Sequence, residues 1–204
     1  INVHVEQIDR AHFYPDRSLM VLELVVDKAS RRVLGIQGMN AMGDALAARI
    51  NAVAPLLARG ATIEDISNLE VLYSPPFAAA MDIVNVVGNV AENILEGRFV
   101  PMSQEEFEKL WEERDDDEVY FIDARVGRDA VPMIGKHPEH WHNIPQDEIS
   151  GRVGEIPGDK KIVLICNTGL RSYEAQLNLA SAGRSDTCSV MGGLSSAKKL
   201  GIDI

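Results

Sequence analysis

The sequence is poor in the features that would take it out of the ordinary globular class. Only two cysteines occur among 204 residues, Cys166 and Cys188, too few for a disulfide framework and in keeping with a reducing cytoplasm. Positive charge is scarce: 20 Lys and Arg stand against 31 Asp and Glu, for a net charge of −11. That balance argues against nucleic acid or an anionic membrane as partner, since both need a basic face. No apolar run approaches the roughly 20 residues of a membrane span, and the opening Ile1-Asn2-Val3-His4 lacks a signal-peptide pattern. The chain also lacks an initiating methionine and opens in what reads as a strand, as a fragment of a longer protein would. Glycine is not arranged to cradle a dinucleotide. Gly35-Ile36-Gln37-Gly38 has the wrong spacing, and no acidic strand end follows about 20 residues on. There is no internal repeat and no low-complexity segment.

What is present suits two domains of about 100 residues each. A boundary falls near residues 97–102, giving a first domain over 1–98 and a second over 103–204. Before it, residues 80–96 read as a helix ended by Gly97. After it, Ser103 and Glu106 make a capping box that opens a helix through Arg114. The first half reads as α+β: strands over 20–26 and 32–37 joined by the polar turn 27–30, then a helix over 41–58 with Leu46, Ile50, Val53 and Leu57 on one face. Asp115-Asp116-Asp117-Glu118 reads as a solvated helix-to-strand turn.

The most informative stretch is Cys166-Asn167-Thr168-Gly169-Leu170-Arg171-Ser172. The β-branched run 161–165 before it reads as a buried strand. Residues 172–182 after it read as a helix with Tyr173, Leu177 and Ala180 on one face, stopped by Gly183. A lone cysteine therefore sits where a strand turns into a helix start, with loop N–H groups pointing at its sulfur and Arg171 adding positive charge. A helix dipole alone supplies at most about 2 kcal/mol, so hydrogen bonds and the guanidinium must share in favouring the thiolate. The plainer alternative is a buried structural cysteine.

This loop resembles the active-site loop of the rhodanese family, in which the cysteine takes up a sulfane sulfur as a persulfide and passes it on. Val119 to Arg125, ending Asp123-Ala124-Arg125, resembles that family's opening strand. Asn143-Ile144-Pro145 and Gly192-Gly193 are similar to its later steps. Four residues separate Cys166 from Arg171, as in sulfurtransferases, whereas phosphatase-like and arsenate-reductase-like relatives carry a longer loop. Where the family has a small Gly-Ala pair this chain has His140 and Trp141, a change that bears on the shape of the pocket mouth.

The first half resembles the dimerisation domain of the pyridine nucleotide-disulfide oxidoreductases, most closely that of the CoA-disulfide reductases. The resemblance rests on Leu34-Gly35-Ile36-Gln37, Arg49-Ile50-Asn51, Thr62 to Ile66, Leu72-Tyr73-Ser74-Pro75-Pro76-Phe77, Val84-Asn85 and Gly88 to Asn93. Phe13-Tyr14-Pro15 is similar to the family's Tyr-Tyr-Pro step. Together the two resemblances imply the C-terminal part of a CoA-disulfide or CoA-persulfide reductase fused to rhodanese. The implied fold is an α+β dimerisation domain with an antiparallel sheet, followed by an α/β rhodanese-like domain with a parallel sheet flanked by helices. FAD, NAD(P)H and CoA are implied for the longer protein, a homodimer for the assembly, and none of these cofactors for this piece. Cys166 and Arg171 are then the catalytic pair, Asn167, Thr168, Gly169, Leu170 and Ser172 the loop, and Asp123 and Arg125 its support. Tyr73 and Tyr14 match tyrosines that reach across the dimer towards the redox cysteine and CoA. Met81 and Ile83 stand where relatives carry lysine and proline, so any CoA contact through that lysine is lost.

Other polar candidates carry less. His137, His140 and His142 have no acidic or cysteine ligand at a familiar spacing, so no metal is assigned to them. Cys188, inside the strand over 187–191, reads as a small buried hydrophobe rather than a resolving thiol. The expected activity is sulfur transfer from a sulfane-sulfur donor to a thiol, CoA among the acceptors. A rhodanese module that only binds or presents persulfide stays open beside it.

Overall fold

A computed structural model describes residues 1–204, which divide into two compact units, Ile1–Gly97 and Arg98–Ile204. In the first, strands β1 (Asn2–Ile8), β2 (Leu19–Val26) and β3 (Val33–Asn40) form an antiparallel sheet in the order β1-β2-β3. β2 is the central strand, and its Met20, Leu22 and Leu24 are fully buried. Helices α1 (Gly43–Leu57), α2 (Ile63–Ser67) and α3 (Ile83–Leu95) cover that face. Val53, Ile63, Ile66, Val84, Val87 and Ala91 complete the core. α3 begins later than its apolar pattern predicts because Asp82 caps it, accepting a hydrogen bond from Val84 N. Asp82 also pairs with the buried Arg49 of α1 at 2.7 Å. Arg49 further donates to the carbonyls of Asp9 and Phe77, pinning the end of β1 and the 73–77 turn to one guanidinium. The expected apolar face of α1 is thus incomplete: Arg49 is buried, while Ile50 is only half-buried.

In the second unit, β4 (Pro101–Met102), β5 (Val119–Asp123), β6 (Trp141–Asn143), β7 (Lys161–Ile165) and β8 (Thr187–Val190) form a parallel sheet in the order β4-β8-β7-β5-β6. Four helices flank it: α4 (Gln104–Glu112), α5 (Gly127–Lys136), α6 (Leu170–Ser181) and α7 (Gly193–Leu200). β7 is apolar on both faces, as a buried parallel strand must be. Val163 and Ile165 join Phe107, Trp111, Phe121 and Trp141 on one side. Ile162 and Leu164 join Ile122, Ala175 and Leu179 on the other. The capping box expected at Ser103 and Glu106 is present at the start of α4.

α6 differs from its expected face. Its buried residues are Ser172, Ala175, Gln176 and Leu179, while Tyr173 packs edge-on against Phe99. Gln176 is buried because its amide bonds Val100 N and O and Thr187 O, a role that apolar periodicity does not register. No helix is long and apolar enough to cross a membrane.

Candidate active site around Cys166

In an open parallel sheet the crevice lies at the carboxyl ends of strands where the winding reverses. Here β5 continues to β6 on one side and β7 to β8 on the other, so the reversal falls between β5 and β7. Asp123 ends β5 opposite Ile165, which ends β7, and Cys166 follows directly.

Cys166 is 2% exposed. The chain leaves it through Asn167 and Thr168 to Gly169, whose φ of 99° turns the backbone into α6. That left-handed conformation suits glycine, and it aims the Gly169 N–H at the sulfur, at 3.2 Å. A second donor is the Ser172 hydroxyl, 3.5 Å from Sγ. The Ser172 hydroxyl in turn lies 3.1 Å from Gly169 O, and it accepts a hydrogen bond from Ser189 Oγ at 2.8 Å. Ser172 and Ser189 are both fully buried.

The loop is held from below by α7. Leu194 N donates to Cys166 O at 2.9 Å and Ser195 N to Asn167 O at 2.8 Å. This approach requires Gly193: a Cβ there would lie 2.2 Å from Cys166 O.

Asp123 and Arg125 support the loop from the β5 side. The Asp123 carboxylate accepts from Arg125 N, Nε and Nη2 and from Trp141 Nε1 at 2.6–3.0 Å. Asn143 Nδ2 donates to the carbonyls of Asp123 and Arg125, both at 2.8 Å. Arg125, oriented by these bonds, reaches Asn167 Oδ1 at 3.4 Å through Nη1. The structure therefore brings Cys166, Asn167, Gly169, Ser172, Asp123 and Arg125 together. Arg171, in the first turn of α6, is exposed, and its guanidinium makes no hydrogen bond or ion pair within the chain. Arg125, paired with Asp123, is a second guanidinium beside the loop.

Two further residues sit differently from the sequence-based picture. Trp141 is a core residue packed on Trp111, not part of a pocket mouth. His140 pairs with Asp115 at 3.0 Å, ahead of β5 and β6 and so at the opposite end of the sheet from Cys166. The three histidines diverge: His142 stacks on Tyr120 and His137 meets Trp111 edge-on. Cys188 lies in β8 with its thiol near Ile162 O, and burial pushes its pKa up to about 11. In the first unit, Tyr73 is 52% exposed and Tyr14 lies under Arg10. Ala11 N bonds Pro75 O at 3.3 Å, so the segments carrying the two tyrosines run side by side. Sequence reasoning missed Ser189, which carries no motif signal; the supporting place expected for Asp123 and Arg125 is where the structure has them.

Residues 1–84 match the family described as pyridine nucleotide-disulphide oxidoreductase, dimerisation domain, and residues 103–200 match the rhodanese-like domain. The reduced Bacillus anthracis CoADR-RHD structure aligns with 96% of this chain at 31% identity and a TM-score of 0.83. A NAD-dependent persulfide reductase from A. fulgidus aligns with 96% at 34% identity and a TM-score of 0.80. This chain covers 33% of each. The coenzyme A disulfide reductase of Staphylococcus epidermidis is 29% identical over 90 residues, 44% of this chain and 20% of that protein. The chain thus spans a third of those structures and about a fifth of the curated relatives it matches.

Proposed function

Because this chain joins a pyridine nucleotide-disulphide oxidoreductase dimerisation domain to a rhodanese-like domain, we propose that it is the C-terminal part of a CoA-disulfide or persulfide reductase whose rhodanese module moves sulfane sulfur through Cys166. The observation that carries this is the sulfur of Cys166 at the end of the central strand, facing an N–H and a hydroxyl donor. The Cys166 thiolate attacks the sulfane sulfur of a donor, forming a new S–S bond while the donor leaves with the electron pair of its broken bond, as sulfite or a thiolate. An incoming thiolate, CoA among the candidates, then attacks the terminal sulfur and releases the Cys166 thiolate. Neither step changes the overall redox state. The cysteine persulfide carries negative charge on its outer sulfur, which the donors of the loop and of the α6 N-terminus favour.

FAD and NAD(P)H belong, on this reading, to other parts of the longer protein. The residues here do not fit them: Gly35 and Gly38 lie inside β3, and a Cβ on Gly38 would strike Val21 O at 2.4 Å. Gly38 serves strand packing, not a phosphate. Tyr73 and Tyr14 stand as candidates to reach a partner subunit's thiol chemistry, since a phenol can hydrogen-bond a departing thiolate.

Intact-mass measurement after incubation with thiosulfate or a CoA persulfide tests the core of this reading. A one-sulfur adduct should form, survive Cys188→Ser and vanish in Cys166→Ser. The reverse pattern overturns the assignment. Turnover of thiosulfate with cyanide or a thiol separates transfer from mere persulfide binding.

A further inference from the structure

Ser189 has no place in the loop motif, yet it is fully buried and its hydroxyl donates to Ser172 Oγ at 2.8 Å. A hydroxyl has one proton to give. With a lone pair of Ser172 occupied by the Ser189 proton, the Ser172 proton has two acceptors in range, Gly169 O at 3.1 Å and Cys166 Sγ at 3.5 Å. Against a neutral thiol the carbonyl is the better acceptor. Against a thiolate the charged sulfur is, because hydrogen bonds to an ionised acceptor are roughly twice as strong as neutral ones. Donation from Ser189 polarises the Ser172 hydroxyl and strengthens whichever bond it makes. Both serines are fully buried, out of reach of bulk solvent.

We propose that Ser189 is a positioning residue for the sulfur chemistry of Cys166, acting through Ser172. It holds the Ser172 hydroxyl in the acceptor role, so that its proton is delivered to the sulfur when the sulfur becomes anionic. β8 thereby contributes to a site that the motif assigns to β7 and α6 alone. The inference rests on Cys166 being the sulfur-carrying residue, but its test reads the bare thiolate and needs no sulfur donor. A failure to form persulfide would sink the proposed function and leave this result standing.

The test is iodoacetamide alkylation of Cys166 from pH 5.5 to pH 9.5 in a Cys188→Ser background. Ser189→Ala should slow alkylation at pH 6 by about 3- to 10-fold, the scale of one weakened bond to a charged acceptor. The difference between the two rates should shrink as the pH is raised. A purely structural lesion would shift rates at every pH. Ser189→Thr, which keeps the hydroxyl, should restore the parent profile and guards against a packing artefact. Adding Ser189→Ala to Ser172→Ala should change nothing further. A Ser189→Ala effect that is absent, independent of pH, or undiminished in the Ser172→Ala background overturns the proposal.

Discussion

Gly193→Ala is expected to release the Cys166 loop and destabilise the second unit by about 3 kcal/mol. The residue sits at φ 52°, and a methyl carbon added there would lie 2.2 Å from Cys166 O and 2.9 Å from both the carbonyl carbon and oxygen of Asn167. Holding an alanine in the left-handed region costs about 1 kcal/mol. The clash is with backbone, so it is relieved only if α7 moves off the loop. That movement breaks Leu194 N to Cys166 O and Ser195 N to Asn167 O, each worth about 1 kcal/mol. At roughly 4–8 °C per kcal/mol for a domain of this size, the melting temperature should fall by about 12 °C or more. Gly201→Ala is the control: its φ is 76°, but nothing lies within 4 Å of the new carbon, leaving only the conformational penalty of about 1 kcal/mol. Tryptophan fluorescence is a clean probe, because Trp111 and Trp141 are the only two tryptophans and both are buried in the second unit. Urea titrations that place the two variants within about 0.5 kcal/mol of each other would refute the claim that the glycine is there for close approach.

Cys188 gives a pH dependence of definite sign. Its thiol is raised from 9.0 to about 11 by burial, so the folded state holds the proton that the unfolded chain gives up first. The associated stability, about 2–3 kcal/mol, is fully present below pH 9 and is lost as pH rises towards 11; Cys188→Ala should flatten that alkaline limb relative to the parent, and parallel limbs would contradict the burial argument. The exposed Leu72, Tyr73, Phe77 and Met81 follow the proposed homodimer reading: light scattering across a concentration series should show a dimer that Phe77→Asp weakens, and a strict monomer at high concentration would defeat it.

Much of this fold was legible because its signals are local. The strand over 161–165 stands out as a β-branched run between polar residues, and it is bounded as expected. Ser103 and Glu106 announce a helix start within four residues. The misread faces have a common cause. α1 buries Arg49 and α6 buries Gln176, and each polar side chain earns its place through bonds to carbonyls far away in sequence, such as Arg49 to Asp9 O across 40 residues. A periodicity search counts such positions as solvent-facing. Exposure of Arg171 was hidden for the converse reason: it lies on the first turn of α6, where one residue along the chain turns a side chain from the buried face of Ser172 to solvent.

The same distinction governs the candidate site. Its cysteine and Gly169 could be read from seven consecutive residues, because a strand-to-helix turn is made by neighbours. Its support comes from distant segments: Asp123 and Arg125 are marked by the rhodanese resemblance, while Ser189 carries no sequence signal. Arg125 reaches Asn167 across 42 residues and Ser189 reaches Ser172 across 17, and both meetings depend on strand order, with β5 and β8 flanking β7. Had β8 paired elsewhere, the Ser189 hydroxyl would face a different helix and Gly193 would have no loop to approach. The parallel order β8-β7-β5 is therefore what sets a hydroxyl relay against the buried cysteine from one side and an oriented guanidinium against Asn167 of its loop from the other.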